Sequence, residues 1–283
     1  MHSHAAMPVA LHRSGNLYRV YCSGRDAQGR SQVGYFEMEI GERVRVSEAR
    51  PEPVFHFGEL GAFDDRGVLN SSFVRVGGQL YMYYVGVATS TTVPFRNFTG
   101  LAISDDDGDS FSRYSRGPIL PPDDLDPFLT PLAFVLPENG GFTMWYTSGV
   151  RWVMENDTPK HYYHIKRARS ADGIHWEKRG EVCIDFVGDE YAIARPWVIY
   201  DAGIYRMWYS YRGQAYRIGY AESHDGIAWT RMDDAGGLGP SDEPWEDTMV
   251  EYASIFEHEG RRYMLYNGNQ YGRGGVGLAM SDG

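Results

Sequence analysis

Short apolar segments recur along the chain, each followed by a turn and a second segment rich in aromatic residues. The second segments end in tyrosines that follow one another at intervals of 57 to 63 residues: Tyr21, Tyr84, Tyr146, Tyr209 and Tyr266. Their partner segments are 9–12, 72–75, 133–136, 197–200 and 254–257. Glycine in the turns between them is typical of β-hairpins. The pattern therefore predicts five consecutive repeats of antiparallel strands.

A third strand is predicted in each repeat, for example at 100–104, 218–223 and 277–281. In several repeats an Asp/Gly turn and an aromatic residue follow it, at 106–111, 172–176 and 225–229. These turns resemble the Asp boxes of β-propellers, in which a carboxylate stabilises a tight turn. We therefore interpret their carboxylates as structural rather than catalytic.

Each repeat is expected to form a four-stranded antiparallel sheet. Such a sheet cannot bury both of its faces alone, so the repeats must pack around an axis. The predicted fold is all-β, a single five-bladed β-propeller domain over 1–283, with blades at approximately 7–50, 68–120, 127–185, 192–237 and 250–283. The sequence ends after the third strand of the fifth repeat, so the outer strand of that blade is missing, is supplied by the N-terminal segment, or comes from another chain in an oligomer.

Composition supports this fold, since 21 Tyr and 7 Trp favour strands. The net charge of −11 argues against nucleic acid and anionic membrane surfaces as partners. No segment is long and apolar enough to span a bilayer, and the first residues lack the apolar core of a secretory signal. We expect a cytoplasmic protein in which Cys22 and Cys183 are buried thiols rather than a disulfide.

Candidate catalytic residues precede the first strands of four repeats. They are Asp65, with Asp64 as the alternative to its neighbour, Asp126, Glu190 and Glu251. In a propeller these strand entrances converge on the central channel. A pair of carboxyl groups with separated pKa values is what glycoside hydrolysis requires, one as proton donor and one as base for water. The alternative is that each is a solvated loop residue of an acidic protein.

Candidate substrate-binding residues are polar or aromatic side chains near the same entrances: Asn70, Arg96, His161, His164, Arg195, Tyr209, Arg212 and Asn267. Aromatic rings combined with Arg and Asn suit stacking on sugars and hydrogen bonding to hydroxyls. His161 and His164 lie on opposite faces of a strand and lack the further ligands that zinc needs, so no metal is expected. The chain has no phosphate-binding glycine loop or other cofactor motif, and no cofactor is expected.

Through the repeat and the segments 67–70, 195–198, 205–209 and 266–269, the chain resembles the five-bladed propeller superfamily of arabinanases, β-xylosidases and invertases. More narrowly, it resembles glycosidase-like proteins of bacterial polysaccharide and sugar-modification pathways. The resemblance implies a carboxylate base, a second carboxylate that tunes pKa and a glutamic acid as proton donor. Glu251 has the donor's position, three residues before Ser254. The base position, however, holds Asn70, and the same place in the fourth repeat holds Arg195.

Three functions follow from these observations. The first is a glycoside hydrolase-like enzyme with an inverting mechanism, in which Glu190 or Glu251 is the acid and Asp65 or Asp126 the base. The second is a non-hydrolytic enzyme that modifies a sugar or metabolite on the same scaffold. The third is a carbohydrate-binding propeller without catalysis. In each case the partner is a small molecule or oligosaccharide in the central funnel.

Overall fold

The computed structural model describes residues 2–138 and 140–281 and is nearly all β. In chain order the strands are β1 (Ser3–Ser14), β2 (Leu17–Arg25), β3 (Ser31–Glu39), β4 (Arg45–Val46), β5 (Gly67–Val76), β6 (Gln79–Ala88), β7 (Arg96–Ser104), β8 (Ser112–Arg113), β9 (Phe134–Glu138), β10 (Gly141–Glu155), β11 (Thr158–Ser170), β12 (Glu177–Ile184), β13 (Ala192–Asp201), β14 (Ile204–Arg212), β15 (Tyr216–Ser223), β16 (Thr230–Arg231), β17 (Glu251–His258), β18 (Arg261–Asn267) and β19 (Gly277–Met280). The helix α1 (Asn269–Gly272) has a single turn. Across the described residues, no helix reaches the length and hydrophobicity that a bilayer crossing requires. The all-β prediction is confirmed.

Antiparallel pairing divides the described strands into five consecutive units. Unit one is β1–β4, unit two β5–β8, unit three β9–β12, unit four β13–β16 and unit five β17–β19. A parallel bridge between Ser31 and Gly67 joins units one and two, and another between Tyr163 and Ala192 joins units three and four. The hydrogen-bonded sheets therefore contain eight, eight and three strands.

The first strands of the five units contact one another in a cycle. Strand β1 contacts β5, β5 contacts β9, β9 contacts β13, β13 contacts β17, and β17 contacts β1. Apolar faces of neighbouring units pack together: Val74 of unit two and Val135 of unit three belong to one buried cluster, and Tyr18 of unit one and Tyr263 of unit five belong to another. This packing buries the sheet faces that no unit could cover alone.

The Asp/Gly turns connect neighbouring units, as their structural interpretation requires. The carbonyl oxygen of Gly108 accepts a hydrogen bond of 2.9 Å from the hydroxyl of Tyr21 in the preceding unit. Gly173 accepts one from Tyr83, and Gly226 accepts one from the indole of Trp145. Each of these donors lies in the second strand of the unit before the turn.

These contacts correct the predicted alignment of the first repeat. Tyr21 occupies the place of Tyr83, so Cys22 is the residue that corresponds to Tyr84. The one-residue offset arises because Tyr83 and Tyr84 are adjacent in the sequence, and the spacing alone fits either. Cys22 and Cys183 are both buried and unpaired, as expected for thiols.

The N-terminal segment has a defined place in the first unit. Strand β1 pairs with β2 from Ser3 to Ser14, where it is the first strand of unit one. It therefore does not supply the outer strand of unit five, which was one of the three alternatives. In the part of the chain that the structure describes, unit five consists of three strands.

Candidate functional site

A cavity of about 440 Å³ lies where the five units meet, and we call it the central cavity. Every unit contributes to its wall. The lining includes Met7, Ser23, Arg25 and Ser31 of unit one, Arg66 and Val85 with Phe95 and Asn97 of unit two, Leu132, Thr147, His161 and Tyr163 of unit three, Arg212 and Tyr216 of unit four, and Tyr252 and Tyr271 of unit five. Residues far apart in the sequence thus share one space, as the predicted repeat requires.

Four residues in or just before the first strands have an unusual backbone conformation. Met7, Leu132, Arg195 and Tyr252 have φ angles of +56°, +58°, +55° and +60°. Three of these four lie at β-bulges that interrupt the pairing of β1, β13 and β17. A positive φ at a residue other than glycine costs roughly 1–3 kcal/mol and is concentrated at functional sites. Met7, Leu132 and Tyr252 all line the cavity.

Aromatic side chains form one side of the cavity wall. The hydroxyl oxygens of Tyr163 and Tyr216 are 2.5 Å apart, and the ring of Tyr216 lies 6.4 Å from that of Tyr252 and 6.2 Å from that of Tyr271. The His161 ring stacks on Tyr163 at 4.7 Å between centroids. Rings of this kind offer apolar faces together with hydroxyl groups, which suits a sugar.

The two candidate histidines have different surroundings. His161 lines the cavity, and its burial, with the nearby charges of Arg212 and Lys160, lowers its pKa to about 4. The imidazole is therefore neutral at neutral pH. His164 lies outside the cavity wall, where its Nδ1 is 3.0 Å from Asp185 Oδ1.

Three arginines line the cavity: Arg25, Arg66 and Arg212. The guanidinium of Arg212 lies 5.3 Å from the ring centroid of Tyr216 and donates a hydrogen bond of 3.1 Å to the hydroxyl of Tyr271. Within the described residues, the lining includes no Asp or Glu, and none of the three arginines forms an ion pair.

Glu251 lies immediately behind the cavity wall, at the start of β17. It is fully buried, and neither carboxyl oxygen has a hydrogen-bond partner in the described structure. Burial raises the pKa of the Glu251 carboxyl well above its ordinary value, and the nearby Tyr252 and Arg212 only partly oppose the rise. Glu251 directly precedes the wall residue Tyr252 in β17, and after burial its charge contributes to the raised pKa of Tyr252.

Two of the other candidate carboxylates belong to a repeated tyrosine–carboxylate contact. Tyrosines of the second strands donate hydrogen bonds to acids in units two to five, in the pairs Tyr84–Asp64, Tyr146–Asp126, Tyr209–Asp233 and Tyr266–Glu246. Asp64 also accepts from Arg113, and Asp126 accepts from Ser148, Lys166 and Lys178. The sequence suggested site roles for Asp64, Asp126 and Tyr209, and the structure places all three in these contacts between strands and loops.

The remaining two candidate acids lie outside the cavity lining. Both oxygens of Glu190 accept hydrogen bonds from Arg231, at 2.8 and 2.7 Å. Asp65 is half-buried, and its Oδ2 accepts a hydrogen bond from the backbone of Gly61. The structure therefore gives Asp65, Asp126 and Glu190 separate partners, whereas Glu251 has none among the described residues and lies behind the cavity wall.

The other candidate binding residues mostly join units rather than face the cavity. Asn70 and Asn267 both hydrogen bond to the backbone of Met7. Arg195 is fully buried: its Nη1 donates to the carbonyl of Ser71, its Nε and Nη2 have no partner in the described residues, and burial lowers its pKa to about 9. Arg96 is exposed beside the ring of Phe98. Of the predicted binding residues, His161 and Arg212 line the cavity.

Sequence reasoning missed several wall residues, among them Arg25, Arg66, Tyr163, Tyr216 and Tyr252. Arg66 directly follows the candidate Asp65 and Tyr252 directly follows Glu251, so adjacency was an available signal for these two. The positions of Tyr163 and Tyr216 depend on which face of a strand meets the axis. That orientation is set by bulges and by packing between units.

Comparisons with known proteins identify relatives and structural neighbours. No family model matches the chain. The chain is 41% identical over 279 residues to the uncharacterized protein Rv1502 of Mycobacterium tuberculosis H37Rv, covering 98% of this chain and 92% of that protein, and the same holds for protein MT1551 of strain CDC 1551.

Several solved structures share the fold. A glycoside hydrolase structure matches with a TM-score of 0.76 and 17% identity over 99% of this chain and 88% of that one. A thermostable family-43 glycoside hydrolase matches with a TM-score of 0.71 and 15% identity over 98% and 89% of the two chains. A glycosyl hydrolase from Bacteroides ovatus matches with a TM-score of 0.70 and 16% identity over 99% and 84%. At these identities the likeness establishes the fold.

Proposed function

The chain belongs to the same family as the Mycobacterium tuberculosis protein Rv1502, and we propose that it is a glycosidase-like enzyme that binds a carbohydrate in the central cavity. The observation that carries the proposal is Glu251, a buried carboxyl without hydrogen-bond partners behind the tyrosine wall of that cavity. The glycoside hydrolases among the structural neighbours share the surrounding fold.

The proposal includes a five-bladed propeller formed by one domain over 1–283. The five antiparallel units and the cycle of contacts among their first strands support this architecture. Around a common axis, the first strands would all border one funnel, and the central cavity is lined from all five units.

In the proposed reaction, Glu251 is the proton donor. Its raised pKa favours the protonated form, as a general acid requires. The carboxyl lies behind Tyr252, so movement of this ring on substrate binding would open the path from the acid to the glycosidic oxygen. Tyr252 is only half-buried, and its positive φ strains the backbone, so a change of backbone conformation there would release strain.

We propose Asp65 as the base. Of the candidate acids outside Glu251, Asp126 is bound to two lysines and Glu190 to Arg231, whereas Asp65 accepts only a backbone N–H and precedes Arg66 of the cavity wall. Glu251 would protonate the leaving oxygen as the bond to the anomeric carbon breaks. Water would add to that carbon and transfer its proton to Asp65, and solvent would restore both groups.

The test is turnover of a panel of aryl glycosides by Glu251→Gln and Asp65→Asn. We expect each variant to lose at least about 100-fold in kcat without a loss of melting temperature, since general acid and base catalysis each contribute roughly 10²–10⁴-fold. Glu190→Gln is the control and should keep its turnover. Unchanged turnover in Glu251→Gln would contradict its role as donor.

A second candidate function is supported by the absence of Asp and Glu from the described lining. A cavity without a carboxylate pair would bind or modify a sugar without hydrolysing it. Calorimetry of glycans combined with chromatography of the same mixtures separates the two functions, because binding without any released product favours the second.

A further inference from the structure

Three arginines from different units surround the central cavity. Arg25 ends β2 in unit one, Arg66 precedes β5 in unit two, and Arg212 ends β14 in unit four. No single segment of the sequence contains this cluster. It exists only because the units bring their strand ends together.

The charge around these arginines is unusual for this protein. The net charge of the chain is −11, so carboxylates are abundant. Other arginines form ion pairs with these carboxylates: Arg19 pairs with Glu37, and Arg231 pairs with Glu190. The cavity arginines have no such partner in the described residues, and the lining there includes no carboxylate. A cluster of unpaired cations around a concave site attracts anions and raises their local concentration.

Arg212 is the most preorganised of the three. The rings of Tyr191 and Tyr216 lie 5.6 and 5.3 Å from its guanidinium carbon, and its Nη1 donates to Tyr271. Its Nε is buried and has no hydrogen-bond partner in the described structure. A guanidinium held in this way presents a fixed set of donors, which matches the paired oxygens of a carboxylate or phosphate.

The rest of the cavity wall offers polar groups beyond those that a bare anion would contact. The cavity of about 440 Å³ also offers the hydroxyl of Thr147 and the amide of Asn97, whose side-chain oxygens have no hydrogen-bond partner in the described residues. These groups suit sugar hydroxyls. We propose that the ligand of the central cavity is a sugar that carries an anionic oxygen group, a carboxylate or a phosphate, bound by Arg25, Arg66 and Arg212. This inference rests on the proposed function, for which it names the substrate class.

The test is calorimetric titration of the full chain with glucose, glucuronate, glucose 6-phosphate and inorganic phosphate. We expect glucuronate or glucose 6-phosphate to bind at least about tenfold more tightly than glucose and than inorganic phosphate, since a hydrogen bond to a charged group contributes that factor or more. Whichever of glucuronate and glucose 6-phosphate binds more tightly identifies the anionic group as a carboxylate or a phosphate. Equal binding of glucose and both anionic sugars would overturn the inference, as would binding of inorganic phosphate as tight as that of the sugars.

Variants assign the binding to the cluster. Arg212→Gln should weaken binding of the preferred anionic sugar roughly tenfold or more, and so should Arg66→Gln, whose exposed side chain can be removed without effect on folding. Arg116→Gln is the matched control, because Arg116 is also exposed and lies outside the lining. Equal losses in all three variants would overturn the assignment. Arginine-dependent binding without hydrolysis of any glycoside would uphold this inference and contradict the hydrolytic function. Turnover of neutral glycosides without anion selectivity would uphold the hydrolytic function and contradict this inference.

Discussion

Asn70 and Asn267 hold the same residue from opposite sides. The side-chain amide of Asn70 in unit two donates a hydrogen bond of 2.8 Å to the carbonyl of Met7, and the side-chain oxygen of Asn267 in unit five accepts one of 2.8 Å from the N–H of Met7. Met7 belongs to unit one, has a positive φ and lines the central cavity. The two asparagines therefore fix the first unit between its two neighbours at the edge of the proposed site.

Removing either asparagine should destabilise the fold. In Asn70→Ala or Asn267→Ala, a buried backbone group of Met7 loses its partner, and each variant should lose about 1–3 kcal/mol of unfolding free energy. Urea denaturation measures the loss. Gln214→Ala is the control, because Gln214 is an exposed amide. Losses as small as that of the control would show that the hydrogen bonds of Asn70 and Asn267 to Met7 contribute little to stability.

Asp126 should contribute to stability rather than to catalysis. Asp126→Asn removes the negative charge between Lys166 and Lys178, and we expect a loss of about 3–5 kcal/mol because the buried Lys166 is left without a carboxylate partner, whereas Lys178 keeps Asp123. Asp124→Asn, at an exposed carboxylate, is the control. Denaturant unfolding of both variants at neutral pH checks this.

The stability from Asp126 should also depend on pH. Burial raises its pKa, but the hydrogen bond from Ser148 and the charges of Lys166 and Lys178 outweigh this and hold the pKa below its ordinary value. A lowered pKa gives stability that is present above the unfolded pKa and is lost as the pH falls through the folded pKa. Melting curves from pH 6 down to about 3 should therefore fall more steeply for the natural protein than for Asp126→Asn. Parallel curves would contradict this.

Glu251 should have the opposite effect on pH dependence. Because its folded pKa is raised, its contribution to stability is present below the ordinary carboxyl pKa of about 4.3 and is lost as the pH rises. Glu251→Gln cannot ionise, so its melting temperature should gain on that of the natural protein over the range in which the pH rises above this ordinary value. A constant difference across this range would mean that Glu251 titrates normally.

A glycine in the third strand provides space for the repeated tyrosine. A Cβ atom at Gly100 would overlap the ring of Tyr84, and Gly219 and Gly277 have the same relation to Tyr209 and Tyr266. Gly100→Ala should therefore cost roughly 1–3 kcal/mol through overpacking. At Gly117 an added Cβ would have no atom within 4 Å, so Gly117→Ala is the matched control in denaturant titrations. A neutral Gly100→Ala would show that the ring can shift.

The sequence by itself determined the repeated antiparallel strands and the structural role of the Asp/Gly turns, because strand periodicity and turn chemistry are local properties. It also indicated Glu251, whose position relative to the strand is set by a few neighbouring residues. These features do not depend on which units become neighbours.

Only the tertiary structure decided which polar residues face the cavity. Asp126 is neutralised by Lys166 and Lys178, and Asp64 by Arg113, each more than 35 residues away in the sequence. Whether a carboxylate is paired or available depends on cations that other strands supply, and sequence order does not report such distances. The arginine cluster is unpredictable for the same reason, since its members share a site only where the ends of distant strands converge.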